Sequence, residues 1–106
     1  MEASNQALST VDLAELFKAL ADPNRLAIFE LVRERGGGVG TVEEAENSIS
    51  KIAREFDLSL SSVSHHLKEL RNAGLIRCEK RGQTVYCTPV PEALEAIAGF
   101  LGEAKD

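Results

Sequence analysis

At 106 residues, 43% of them apolar, the chain has enough material for one modest hydrophobic core, and residues 1–106 are expected to form a single domain. No apolar run approaches the ~20 residues that a membrane helix needs, so no membrane partner is expected. The opening MEASNQALSTVDL has neither the basic n-region nor the apolar h-region of a secretory signal. Two cysteines, Cys78 and Cys87, are too few for a disulfide scaffold, and a reducing cytoplasm is the expected setting.

The formal charge of −5 argues against a nucleic-acid partner only until it is divided along the chain. Residues 1–50 hold four basic and nine acidic side chains, a balance of −5, and residues 89–106 hold one and four, a balance of −3. Between them, residues 51–88 hold seven basic and four acidic, a balance of +3. Attraction to phosphate follows the local field, because charges further than a Debye length of ~8 Å are screened. The basic middle is therefore where an anionic partner is to be sought.

Leu13, Leu16, Phe17 and Leu20 recur at helical spacing after Thr10, which suits an N-cap with Asp12 in the first turn. Asp22-Pro23 restarts the chain: Asp22 can cap, and Pro23 fits the first helical position, where an N–H has no partner anyway. The next apolar stripe is Leu26, Ile28, Phe29, Leu31 and Val32, and it ends at Arg35 before Gly36-Gly37-Gly38. The glycine-rich, then acidic, stretch to Glu46 reads as a loop with an extra turn around Val42 to Ala45. Ser48 or Ser50 opens a third helix carrying Ile49, Ile52, Ala53 and Phe56.

Asp57-Leu58-Ser59 is a tight connection, and Ser59 is the natural cap of a fourth helix. Val63, Leu67 and Leu70 form its apolar stripe, leaving Ser61, Ser62, Ser64, His65, Lys68 and Arg71 on the other faces. His66 is expected at the helix edge. Gly74 supplies a left-handed residue to end the helix. Leu75 to Lys80 and Thr84 to Thr88 alternate as strands around Arg81-Gly82-Gln83, and Pro89 and Pro91 end the hairpin. A last helix runs from Glu92 to Gly102 with Leu94, Ile97, Ala98 and Leu101 on one side. The predicted class is mainly α with a small β-hairpin, in the order ααααββα.

The third helix, tight turn and fourth helix fit a helix-turn-helix, whose second helix lies in the DNA major groove. Such a helix must present small polar groups near its N-terminus, because bulky apolar side chains would hold the backbone away from base edges. Ser61, Ser62 and Ser64 meet that need, and His65 and Lys68 lie further along the exposed side. Lys80 and Arg81 sit at a glycine turn, a geometry suited to a minor-groove or backbone contact.

The segments FKALADPNRLAIFELV (residues 17–32) and SLSSVSHHLKELRNAGLIRCEKRGQTVYCTP (residues 59–89) resemble the ArsR/SmtB family of winged-helix repressors. The likeness spans roughly Leu13 to Leu101. It implies a winged helix-turn-helix, with the helix-turn-helix at about residues 48–74 and the wing at about 75–89. It further implies a homodimer through terminal helices at about residues 10–21 and 92–102, bound to double-stranded operator DNA and released by an effector that the sequence does not identify. Carried over residue by residue, Ser61, Ser62, Ser64 and His65 of the fourth helix would contact DNA. Lys68 and Arg71 would approach phosphates, and Lys80 and Arg81 would act at the wing. Leu60 stands where many members have glutamine, so base preference is expected to differ there.

Metal sensors of this family place a Cys-x-Cys pair on the third helix, or aspartate and histidine ligands on the last. This chain has Ser48 and Ser50 at the former positions, with Ala53 at a further cysteine position, and no histidine on the last helix. Serine hydroxyls are poor ligands for thiophilic ions, so no metal and no cofactor are expected. Cys78 and Cys87 remain as a redox candidate. If the hairpin turns at Gly82-Gln83 they lie opposite each other, within disulfide reach; if it turns at Arg81-Gly82, Cys78 opposes Val85. Their alternative role is that of two small apolar residues under the wing. No Ser/His/Asp constellation or phosphate loop is present, so no enzyme is expected. A winged-helix module for protein contacts is the alternative function, and it would lack salt-dependent duplex binding.

Overall fold

Asp22 and Pro23 divide the N-terminal helical run in two. In the computed structural model, which describes residues 10–35 and 48–102, helix α1 spans Thr10–Ala19 and helix α2 spans Pro23–Arg35. The Arg25 amide donates to Asp22 Oδ2 at 3.1 Å, and this bond holds the Asp22 carboxyl below its ordinary pKa. Arg25 Nε turns back to donate to the carbonyl of Ala19, satisfying a group left open at the end of α1. Thr10, expected to cap α1, is itself the first helical residue. The predicted loop from Gly36 to Glu46 lies outside the described residues.

Helix α3 (Ile49–Phe56) is capped by Ser48, whose hydroxyl accepts from the Lys51 amide at 3.3 Å. It ends at Asp57 in the left-handed region, φ 53°, with the Asp57 amide donating to Arg54 and the Leu58 amide to Ala53. This is a Schellman end closed by an aspartate, one of the few side chains that tolerate that conformation. Helix α4 (Leu60–Asn72) ends the same way around Gly74, φ 89°, with Gly74 donating to Arg71 and Leu75 to Leu70. Strands β1 (Ile76–Arg81) and β2 (Thr84–Pro89) follow, then helix α5 (Pro91–Gly102). Among the described residues the order is ααααββα, as expected.

The strands pair antiparallel with Arg81 opposite Thr84, so the turn consists of Gly82 and Gln83. Gly82 has φ 61° while Gln83 does not take positive φ, the type II′ pattern that matches strand twist. Of the two registers open in the sequence, this one sets Cys78 opposite Cys87. A bridge from Ser48 to Tyr86 ties the start of α3 to β2, a contact that local patterning did not suggest.

One core gathers Leu16 of α1, Ile28, Phe29 and Val32 of α2, and Ile52 of α3. Val63, Leu67 and Leu70 of α4, Leu75, Ile76 and Cys87 complete its centre. Three positions of the expected apolar stripes are exposed. Leu26 is 43% exposed, and on α5 it is Ala93 that is buried, with Leu94, Ala96 and Ile97 half-covered. Ala98 and Leu101 face solvent. The reason is geometric: α5 meets α1, with Phe17 and Phe100 rings 5.6 Å apart, and among the described residues no element covers the rest of its apolar side.

Candidate nucleic-acid interface

Helix α4 is held by its apolar stripe against α2, α3 and β1, which fixes what it turns outward. At ~100° per residue, Leu60, Ser61, Ser64, His65, Lys68 and Arg71 fall within one arc of about 140°. All six are exposed. Five of the eight site residues expected from the sequence thus share one face of one helix, and Leu60 joins them.

Ser62 is placed differently. Ser59 caps α4 by accepting from the Ser62 amide at 3.1 Å, and its hydroxyl also donates to Ser62 Oγ at 3.0 Å. The Ser61 hydroxyl lies 3.2 Å from Ser59 Oγ. Ser62 therefore sits half-buried at the rim of the arc, in the cap network. His66 is half-buried at the helix edge, its ring 5.8 Å from that of His65. Leu60 is 55% exposed at the first position of the helix, outside the buried core.

The hairpin carries Lys80 and Arg81 away from the core. Lys80 is exposed. Arg81 donates to Glu79 at 3.0 Å and stands over the Tyr86 ring, so a phosphate would have to compete for it. Arg71 is exposed on the arc of α4, and its positive charge also favours the thiolate of Cys78 on β1.

The cysteines are both free, with sulfurs 3.6 Å apart. Cys78 is half-buried and Cys87 is fully buried. The hydrogen bond from Cys87 favours the Cys78 thiolate, and Arg71 adds to that against the cost of burial, leaving Cys78 at about 7. Cys87 is pushed upward by the same bond and by burial. Among the described residues, no three His, Cys, Asp or Glu side chains gather where a metal ion would bind, and no helix is long and apolar enough to cross a membrane.

Comparison with known proteins gives a consistent picture. A helix-turn-helix domain family matches residues 20–79, which run from the end of α1 into β1. The transcriptional repressor SdpR of Bacillus subtilis is 37% identical over 95 residues, covering 86% of this chain and 94% of that protein. The crystal structure of an ArsR family transcriptional regulator superposes with a TM-score of 0.70 at 31% identity, covering 92% of this chain and 90% of the other. A homodimeric winged helix-turn-helix DNA-binding domain from Mycobacterium bovis has the same fold, with a TM-score of 0.66 at 23% identity over 86% of this chain and 75% of that one.

Proposed function

Because the chain belongs to the ArsR/SmtB family of winged helix-turn-helix transcriptional regulators, we propose that it represses transcription by holding operator DNA as a homodimer until an effector releases it. It acts by binding and not by catalysis, in the cytoplasm. The observation that carries this reading is the exposed arc of α4, where small hydroxyls and a histidine stand near the helix N-terminus and Lys68 and Arg71 follow. Small side chains there allow close approach of the backbone to base edges in a major groove.

The helix-turn-helix of residues 48–74 reads the duplex and the wing of residues 75–89 grips its backbone. In this reading Ser61, Ser64 and His65 contact bases, with Ser62 supporting them through the cap, and Lys68, Arg71, Lys80 and Arg81 meet phosphates. Helices α1 and α5 supply the dimer contact. Support for that comes from the apolar side chains they leave in solvent: Val11, Phe100 and Leu101 are 69%, 62% and 68% exposed. The homodimeric relative of the same fold points the same way.

The test is a gel shift and footprint on the DNA upstream of the protein's own gene. Two protected half-sites about one helical turn apart are expected, with affinity falling steeply as salt rises. Absence of any salt-dependent duplex binding would favour a protein-interaction module instead.

A further inference from the structure

We propose that Cys78 and Cys87 form a reversible redox site, a cross-strand dithiol that a small-molecule disulfide oxidises to an intramolecular disulfide, changing the wing's hold on DNA. The thiol chemistry stands by itself; only its effect on DNA rests on the reading above.

The hairpin register supplies the first argument. Across antiparallel strands, hydrogen-bonded and non-hydrogen-bonded pairs alternate, and the pair that closes a two-residue turn is hydrogen-bonded. Counting from Arg81 and Thr84, the Cys78–Cys87 pair is non-hydrogen-bonded. Such pairs bring Cα atoms to about 4.5 Å, inside the range a disulfide spans. The sulfurs already lie 3.6 Å apart.

The second argument is the asymmetry between the two thiols. Cys87 has 0% exposure and Cys78 is half-buried, so a solute reaches Cys78 first. The Cys87 thiol 3.6 Å away favours the Cys78 thiolate, and the positive charge of Arg71 adds to that. Attack of the Cys78 thiolate on a disulfide RSSR breaks the S–S bond, forms a mixed disulfide and releases one RS⁻. Cys87 then attacks the Cys78 sulfur, its proton passing to the departing sulfur, which leaves as the second RSH. Two protein thiols are oxidised and one small disulfide is reduced to two thiols.

The position connects this chemistry to the interface. Cys78 and Cys87 are one rung below Glu79 and Tyr86, both of which contact Arg81. Bond formation draws the sulfurs together by about 1.5 Å and removes the thiolate that faces Arg71 of the recognition helix. Both basic contacts next to the pair therefore feel the change.

The experiment equilibrates the full chain in mixtures of reduced and oxidised glutathione, then alkylates free thiols and measures intact mass. Two reactive thiols are expected under reducing conditions, and none under oxidising conditions at the mass of a single chain. Cys87→Ser and Cys87→Ala should each stop at a glutathione adduct on Cys78, whereas Cys78→Ser should resist modification. Operator affinity should fall at least about fivefold on oxidation and return with reductant, and the double Cys→Ser variant should not respond. Persistence of two reactive thiols under oxidising conditions, or a disulfide between two chains, overturns the site. Equal operator affinity in both states overturns its coupling to the wing. Should neither state bind DNA, the regulatory reading fails while the mass data still decide the dithiol.

Discussion

The guanidinium of Arg81 lies over the ring of Tyr86, 5.5 Å from its centroid, and reaches Glu79 at 3.0 Å. The wing's strongest cation is thus already engaged, and its neighbour Lys80 is the exposed one. For exposed groups such contacts contribute only ~0.5–1 kcal/mol each, small enough for a phosphate to compete. Glu79→Gln should therefore tighten DNA binding several-fold by removing a carboxylate that competes with phosphate for Arg81. Lys80→Ala should lower the slope of log affinity against log salt by about one. An unchanged slope in Lys80→Ala, measured by fluorescence anisotropy across a salt series, removes the wing from the interface.

On α4, Ser64→Ala combined with His65→Ala should abolish the specific footprint and leave nonspecific binding in place. Both side chains are exposed and neither belongs to the core, so the melting temperature should stay within a degree or two of the parent. A retained footprint would place base reading elsewhere on the chain.

Leu60 tests whether readout at one base step is apolar or polar. It is 55% exposed at the start of the recognition helix, where the apolar group in a major groove that it suits is the thymine methyl. Replacing thymine by uracil at each operator position in turn should weaken binding at one position in each half-site, by up to about tenfold. Leu60→Gln should lose that dependence and shift preference toward adenine. Uracil tolerance at every position would show that Leu60 touches no base.

What was legible in the sequence was mostly what four consecutive residues decide. Ser48, Ser59, Asp22-Pro23 and Gly74 all act through bonds to residues three to five away, and their types announce the act. The stripe Val63, Leu67, Leu70 likewise depends on helical period alone. Contacts across the chain were not readable in this way: the Ser48–Tyr86 bridge, Arg81 folded onto Glu79 and Tyr86, and Arg71 beside Cys78. The left-handed turn at Asp57 also escaped, because aspartate there has several local conformations and tertiary packing selects one. Leu26 and Leu101 show a further limit. Periodicity identifies an apolar face but does not say whether the chain's own core or a second molecule covers it.

Gly74 couples α4 to the wing through backbone conformation alone. A Cβ added there would meet no atom within 4 Å, yet φ is +89°, so the cost of Gly74→Ala is backbone strain and not a clash. Thermal unfolding should report a loss of about 1–2 kcal/mol. The altered exit angle should weaken wing contacts as well. A variant as stable as the parent would mean that the helix end relaxes into another turn.

The apolar side of α5 that the described residues leave open gives the last prediction. Ile97 lines a groove of about 440 Å³ with Leu20, Leu26, Phe29 and Leu94, and it also packs against the core, so a charge there would disturb the monomer itself. Leu101 is 68% exposed and lies outside the core, which makes it the cleaner probe of association. Burial of a leucine stabilises by about 1.5–3 kcal/mol, and two symmetric copies would contribute. Leu101→Asp should therefore raise the dimer dissociation constant by at least about tenfold in sedimentation, with helix content unchanged by circular dichroism. Operator affinity should fall with it, since a lone recognition helix engages only one half-site. An unmutated chain that sediments as a monomer at micromolar concentration would instead leave this face for a different partner.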